Sequence, residues 1–319
     1  MLPSDTTSRK AFSDSIPGLQ FAYDSVSLGL LKECSRKYYY TIIEGWIPAI
    51  ESVHLTFGLH YHKAIEIYDH KKAAGHTHDD AVDASVDYCL RATAVRLPNN
   101  KWRPWSSDDP NKNRGTLLRS VVWYLEQFED DAAHTILLNS GKPAVELSFR
   151  FEIPVEVANQ KAMLCGHLDR LVEFNSQIWA MDHKTSKYSL SNDWFSLFNP
   201  DNQMTLYTLA SQIVYEQPVK GVIISGAQIL VNSSRFQRGF TTRHREELDE
   251  WLEEAGWYIK LGEAYARKGF WPKNDKSCGH YGGCSFRSIC SSTPAMRETL
   301  LQASFTRKIW DPLETRGDV

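Results

Sequence analysis

The sequence predicts an α/β fold, with a mixed sheet core flanked by helices, a mainly helical N-terminal region before it and a cysteine cluster after it. Three observations carry this expectation. Apolar residues recur at helical spacing through most of the first 135 positions. Val145, Leu147, Phe149 and Phe151 then alternate with Glu146, Ser148, Arg150 and Glu152, the signature of a strand with one face buried. From there the elements run in the order β-β-β-α-β-β-α, as an α/β core requires.

In chain order, Tyr23 to about Ile50 reads as a helix bearing the aromatic and basic patch CSRKYYY. Phe57 to Lys72, His78 to Leu97 and Gly115 to Asp131 continue the helical pattern. Between the last two lies LPNNKWRPWSSDDPNKNRG, whose Pro, Asn and Asp content marks a loop or insertion. A second strand is defined by Leu164, Leu168 and Val172, and a third runs from Ile178 to His183. A helix from Asn202 to Tyr215, strands near Val219 to Val231 and Arg235 to Thr242, and an amphipathic helix from Glu246 to Lys268 complete the core. The expected organisation is a helical region at 1–135 carrying Cys34 and His62, a core at 136–270, and a cysteine-rich segment with its tail at 271–319.

The 319 residues, 42% hydrophobic and 24% charged, describe a folded globular chain with ample core, and exclude long disorder or a coiled coil. A net charge of -3 leaves room for a local basic groove of the kind nucleic acid needs. No run approaches the roughly 20 apolar residues of a membrane helix, and the start MLPSDTTSRKAFSDS is polar; no membrane association and a cytoplasmic location are expected. In such a reducing compartment the six cysteines are thiols or metal ligands, and three of them fall within thirteen residues.

Alternation places Asp169 on one face of the second strand, and Asp182 and Lys184 on one side of the third with His183 pointing away. Adjacent antiparallel strands can present all three to one point. Like charges gathered on a sheet are unfavourable unless a cation compensates them, and carboxylates are hard ligands suited to Mg²⁺ or Mn²⁺. A lysine beside such a cation can orient or help deprotonate an attacking water. A structural Asp-Lys pair with a turn carboxylate is the other reading of the same residues. Glu146, on the polar face of the first strand, is a lesser candidate for the same chemistry.

Four motifs in order extend this constellation: Gly58-x-x-x-His62-x-x-x-Glu66, Gly166-x-x-Asp169, Asp182-x-Lys184-Thr185 and Gln203-x-x-x-Tyr207. Together they resemble the RecB-like nucleases of the PD-(D/E)XK superfamily, which include CRISPR-associated RecB-type exonucleases and the nuclease domains of recombination helicases. The resemblance implies a restriction-endonuclease-like core in which His62, Asp169, Asp182 and the carbonyl of His183 bind metal and Lys184 serves catalysis. It implies that Gln203 and Tyr207 contact DNA or the active site. Leu168 stands where the superfamily name expects proline, and Asp182 replaces the commoner glutamate, which leaves substrate preference open.

Cys278-x5-Cys284-x5-Cys290 reads as a soft metal-ligand set, suited to an iron-sulfur cluster or to zinc. The resemblance implies Cys34 as a distant fourth ligand of a [4Fe-4S] cluster, with zinc as the alternative and His280 as a competing ligand. Such a centre would act as a crosslink between the chain's two ends. Cys89 and Cys165 read as small core residues. Lys101, Trp102, Arg103 and Trp105, and likewise Arg36, Lys37 and Tyr38 to Tyr40, interleave charge and aromatics as strand binders do; ordinary loop and packing residues are the other reading. The expected function is a metal-dependent DNA nuclease, by resemblance an exonuclease of recombination, repair or phage DNA processing. The alternative is a catalytically silent iron-sulfur scaffold that binds nucleic acid. No Gly-x-x-x-x-Gly-Lys-Ser/Thr motif occurs, so unwinding would fall to a helicase or recombination partner.

Overall fold

The structure is a computed structural model that describes residues 11–50, 52–97 and 100–314. The first ten residues and positions 98 and 99 of the predicted loop lie outside them. In chain order the elements are β1 (Ala22–Tyr23), α1 (Ser25–Glu33), α2 (Ser35–Tyr38), β2 (Trp46–Pro48), α3 (Val53–Ala73), α4 (His78–Ala92), β3 (Ala94–Arg96), β4 (Trp102–Pro104), α5 (Arg114–Gln127) and β5 (His134–Thr135). Then follow β6 (Val145–Val157), β7 (Gln160–Phe174), β8 (Gln177–Ser186), α6 (Asn192–Ser196), α7 (Asn202–Tyr215), β9 (Val219–Ile229), β10 (Ser234–Thr241), α8 (Arg245–Lys268), α9 (Arg287–Ser291), α10 (Arg297–Ser304) and β11 (Phe305–Arg307). The result is a mixed sheet flanked by helices: the α/β core that alternation and element order predict, in the form that the resemblance implies.

The chain divides into two compact units, one drawn from residues 1–50, 148–166 and 245–319, the other from 51–147 and 167–244. In the second unit the later half of β7 runs antiparallel to β8, β8 parallel to β9, and β9 antiparallel to β10. The parallel pair needs a crossover, which α6 and α7 supply. β9 is buried along nearly its whole length, which explains its continuous apolar run. Phe57, Tyr61 and Ile65 of α3 pack with Leu117, Val121 and Tyr124 of α5 against Ala227 and Ile229 of β9.

In the first unit β1 pairs parallel with the beginning of β7, and α1 packs on α8. Tyr40, Trp46, Phe286, Ile289, Leu301 and Phe305 form an aromatic core, with Cys284 and Cys290 against it. Cys89 and Cys165 are buried, as expected of core thiols.

Two elements differ from the sequence expectation. The helix predicted from Tyr23 to Ile50 is broken: Cys34 takes an extended conformation (φ -161°, ψ 108°), and Trp46–Pro48 pairs with Phe305–Arg307. Gly45 makes the turn between them at φ +71°, where a Cβ would stand 2.7 Å from the carbonyl oxygen of Lys308. Pairing with a strand some 260 residues away overrides local helical periodicity. Likewise the helix predicted from His78 to Leu97 stops at Ala92, because Ala94–Arg96 folds back on Trp102–Pro104 as a hairpin within the predicted loop.

Candidate active site

All the carboxylate, histidine and lysine candidates fall in the second unit. The β7–β8 ladder runs as far as Arg170 opposite Met181. Beyond it, the Asp169 carboxylate replaces a backbone acceptor: its Oδ2 takes the His183 N–H at 3.1 Å. The same oxygen lies 3.1 Å from His62 Nδ1, so α3 and β7 meet at this point. On the other side of β8, Lys184 Nζ stands 2.6 Å from Asp182 Oδ2 and donates to Gln203 Oε1 at 2.9 Å. Gln203 Nε2 in turn donates to the Tyr207 hydroxyl at 2.9 Å, one turn along α7. The helical and strand periodicities thus deliver His62, Asp169, Asp182, Lys184, Gln203 and Tyr207 to one place.

Asp182 is 1% exposed, and Lys184, its Nζ 2.6 Å from Oδ2, is the one polar side chain against its carboxylate among the described residues. Burial pushes its pKa up to about 6, Asp169 adding to the rise and Lys184 opposing it. Burial would also raise Asp169, yet the charge of His62 and the hydrogen bond it makes, with Lys184 beyond it, hold the carboxyl well below the usual range. For His62, burial acts downward and the Asp169 carboxylate outweighs it, leaving the imidazole above its ordinary value. Lys184 follows the same logic, desolvation being overcome by Asp182 and Asp169. Burial, and then the charge of His62, drive His183 down to about 3, so its ring is neutral at pH 7. That ring lies edge-on to His62 and Tyr124 with neither nitrogen hydrogen-bonded among the described residues.

Glu146 is half-buried, takes a left-handed backbone at φ +50°, and its charge raises the pKa of Tyr207. Glu66 turns to its own helix, pairing with Lys63. Gly166 is explained by packing: at φ +155° a Cβ would meet the Phe149 ring at 3.0 Å. Two features escaped the sequence. Lys112, from the loop before α5, donates to Thr185 beside Lys184. Asp69, Arg170, Asp131 and Arg238 form a buried charge quartet behind the site. Isolated charged residues in helices, strands and loops carry no periodic signal that would pair them.

Hard oxygen donors and a histidine are the right chemistry for a divalent cation, and a buried carboxylate with Lys184 alone beside it keeps acceptor sites that such an ion would satisfy. Among the described residues, however, no three Cys, His, Asp or Glu side chains stand close enough together to hold a metal ion. The same holds for the cysteines. Cys34 sits at the break between α1 and α2, where its Sγ accepts the Asn274 N–H at 3.3 Å. Cys278 Sγ donates to the Asn274 carbonyl at 3.8 Å, and the Cys284 N–H to the Cys278 carbonyl at 3.0 Å. All four thiols are free and partly buried, and burial raises the pKa of Cys284 and Cys290, with the charge of Cys34 adding in each case. His280 is exposed.

Lys101, Trp102 and Arg103 stand exposed on the β3–β4 hairpin, while Trp105 packs beneath it on the helical core. The patch beside Cys34 is used internally. Arg36 Nε donates to the Trp271 carbonyl at 2.6 Å, Lys37 pairs with Glu33, and Tyr38 and Tyr40 are buried. No described helix is long and apolar enough to cross a membrane.

A mixed sheet that sets Asp169, Asp182 and Lys184 just past the end of the β7–β8 ladder is the frame of a nuclease core. Residues 26–291 match the PD-(D/E)XK nuclease superfamily, and the chain belongs to that superfamily. No curated protein matches it. Among solved structures it is similar to a protein from Eubacterium rectale described provisionally as an exonuclease, at 11% identity and TM-score 0.47, over 88% of this chain and 93% of that one. It is similar also to SSO0001, at 13% identity and TM-score 0.29, over 56% of this chain and 70% of the other.

Proposed function

We propose that the protein hydrolyses phosphodiester bonds of DNA with one or two Mg²⁺ or Mn²⁺ ions held by His62, Asp169, Asp182 and the His183 carbonyl, Glu146 standing nearby. The observation that carries this reading is Asp182: a buried carboxylate whose one described polar partner is Lys184, with the Asp169 carboxylate close enough to raise its pKa. When bound, the cation lowers the pKa of water and offsets charge on the phosphate. Lys184, held by Gln203, orients the attacking water and faces the negative charge that develops. The water oxygen forms the new bond to phosphorus, the bond to the leaving deoxyribose oxygen breaks, one proton ends on that oxygen and the other stays with the phosphate. Gln203 and Tyr207 fix Lys184; Lys101, Trp102 and Arg103 offer charge and a stacking surface to the strand.

Resemblance to the RecB-like branch supports an exonuclease of the cytoplasm, working in recombination, repair or phage DNA processing with a helicase or recombination partner. Resemblance to the iron-sulfur branch and the spacing of Cys278, Cys284 and Cys290 support a [4Fe-4S] cluster with Cys34 as fourth ligand, zinc being the alternative; all four thiols are free and belong to one unit. Its role is to fasten Cys34 to the C-terminal segment, where Asn274 Nδ2 and Ser277 Oγ already hold the Glu33 carbonyl at 2.8 Å each.

The test is digestion of linear and closed circular DNA in Mg²⁺ and Mn²⁺ by anaerobically purified protein, beside Asp182→Ala and Lys184→Ala. Metal-dependent loss of linear DNA alone, abolished in both variants, is the expected result. Equal inertness of all three proteins with DNA binding retained replaces the enzyme by a silent scaffold.

A further inference from the structure

Lys112 is 5% exposed, although it lies in a polar loop. The loop is firmly built: Asp109 Oδ1 accepts the N–H groups of Asn111 and Lys112, and Asn113 caps α5 in a reciprocal pair with Thr116. Lys112 is thereby driven inward, where its Nζ donates to Thr185 Oγ1 at 3.0 Å and stands 5.2 Å from the centre of the Phe57 ring. No described carboxylate lies within ion-pair distance of it, and Asp109 faces His54 instead. A buried ammonium held by one neutral hydroxyl and one ring is costly unless an anion compensates it. Desolvation accordingly lowers its pKa, with Asp109 acting against this and Lys187 adding to it.

Its position gives the anion an identity. Thr185 follows Lys184 and shares a strand face with His183, the face against which α3 lies. Gly58 of α3 approaches Thr185, and His62, one turn further along, meets His183 and Asp169. Gly58, which faces the Lys112–Thr185 contact, and His62, which faces Asp169, are therefore about 6 Å apart along the axis of α3. Lys187 and the exposed Tyr188 flank the same strand end.

We infer that Lys112 binds a backbone phosphate of the strand being cut, next to the scissile one. This rests on the nuclease reading of the site. It is tested on the full-length protein with labelled single-stranded and duplex oligonucleotides, in EDTA, from 50 to 200 mM NaCl, for wild type, Lys112→Met and Lys112→Arg. The expected result is about tenfold weaker binding by Lys112→Met at fixed salt, with the slope of log affinity against log salt smaller by about 0.7 to 0.9. Lys112→Arg keeps both, and the melting temperature of Lys112→Met is unchanged or higher, since an uncompensated buried charge has gone. With Mg²⁺ present, KM rises more than kcat falls. An unchanged slope and affinity overturn the inference. So does a lower melting temperature with an unchanged slope, which makes Lys112 a strut for Thr185, and so does inorganic phosphate protecting wild type while strand affinity is unaffected. Binding without metal is read separately from cleavage, so failure of the nuclease reading shows in the digestion assay and failure of this one in the salt slope.

Discussion

Replacing Asp69 by Asn should stabilise the protein above pH 6, although it removes one partner of a buried ion pair. Asp69 Oδ1 lies 3.2 Å from Arg170 Nη1, and Arg170 also faces Asp131 Oδ2 at 3.8 Å. Arg238 grips Asp131 with two contacts of 2.6 Å, so Asp131 has two cations while Asp69 shares one. Burial therefore dominates at Asp69 and pushes its pKa up to about 6 from 3.8, Arg170 opposing and Asp131 adding to the rise. A raised folded-state pKa means that the fold favours the protonated acid. That contribution is fully present below about pH 4 and is lost as pH rises through 6, and its size is about 3 kcal/mol. Asp69→Asn keeps the shape and cannot ionise. It should match wild type near pH 4 and exceed it by up to about 3 kcal/mol at pH 8, roughly 6 to 12 °C in melting temperature for a domain of this size. Urea and thermal unfolding in EDTA at both pH values measure this. A variant less stable than wild type at pH 8 refutes the reasoning, because the ion pair to Arg170 would then outweigh desolvation.

The remaining predictions follow the same electrostatics. Asp131→Asn should behave oppositely: burial would raise this acid, but Arg238 holds its pKa down, so its stabilisation is present above the unfolded-state value and lost in acid. Removing it should cost about 3 to 5 kcal/mol at pH 7, read by the same unfolding curves. Mg²⁺ or Mn²⁺ at ten times its dissociation constant should raise wild-type stability by about 1.4 kcal/mol, and Asp182→Asn should show no such gain in a thermal-shift titration. Chemical analysis of anaerobically purified wild type should find iron and sulfide, and Cys34→Ser should lose both; zinc in place of both would select the alternative centre. Trp102→Ala should weaken single-strand binding by about 1 to 3 kcal/mol with no change in melting temperature, since its side chain is 63% exposed on the hairpin.

Much of the site was legible in the residues because its parts obey short periods. Alternation alone sets Asp182 and Lys184 on one side of β8, and 3.6-residue spacing sets Gln203 beneath Tyr207; the hydrogen bonds from Lys184 through Gln203 to Tyr207 follow that geometry. His62 was legible only as part of an ordered set of motifs, since a single histidine on a helix carries no such meaning. Its 3.1 Å approach to Asp169 joins elements more than a hundred residues apart. The break at Cys34 was not legible, because the groups that meet it there, the Pro272 carbonyl, Asn274 and Ser277, come from some 240 residues further along the chain.

The sequence by itself determined the sheet-and-helix class, the strand faces and the identity of the catalytic candidates, since hydrophobic period and motif spacing are properties of neighbouring residues. Only the tertiary structure decided which charges share a partner and which stand alone. Nothing in the sequence singles out Lys112, nor the acids Asp69 and Asp131. Their opposite pKa directions, and the burial of Lys112 against Thr185, arise from desolvation and from the count of nearby cations, quantities that exist only once distant segments have packed together.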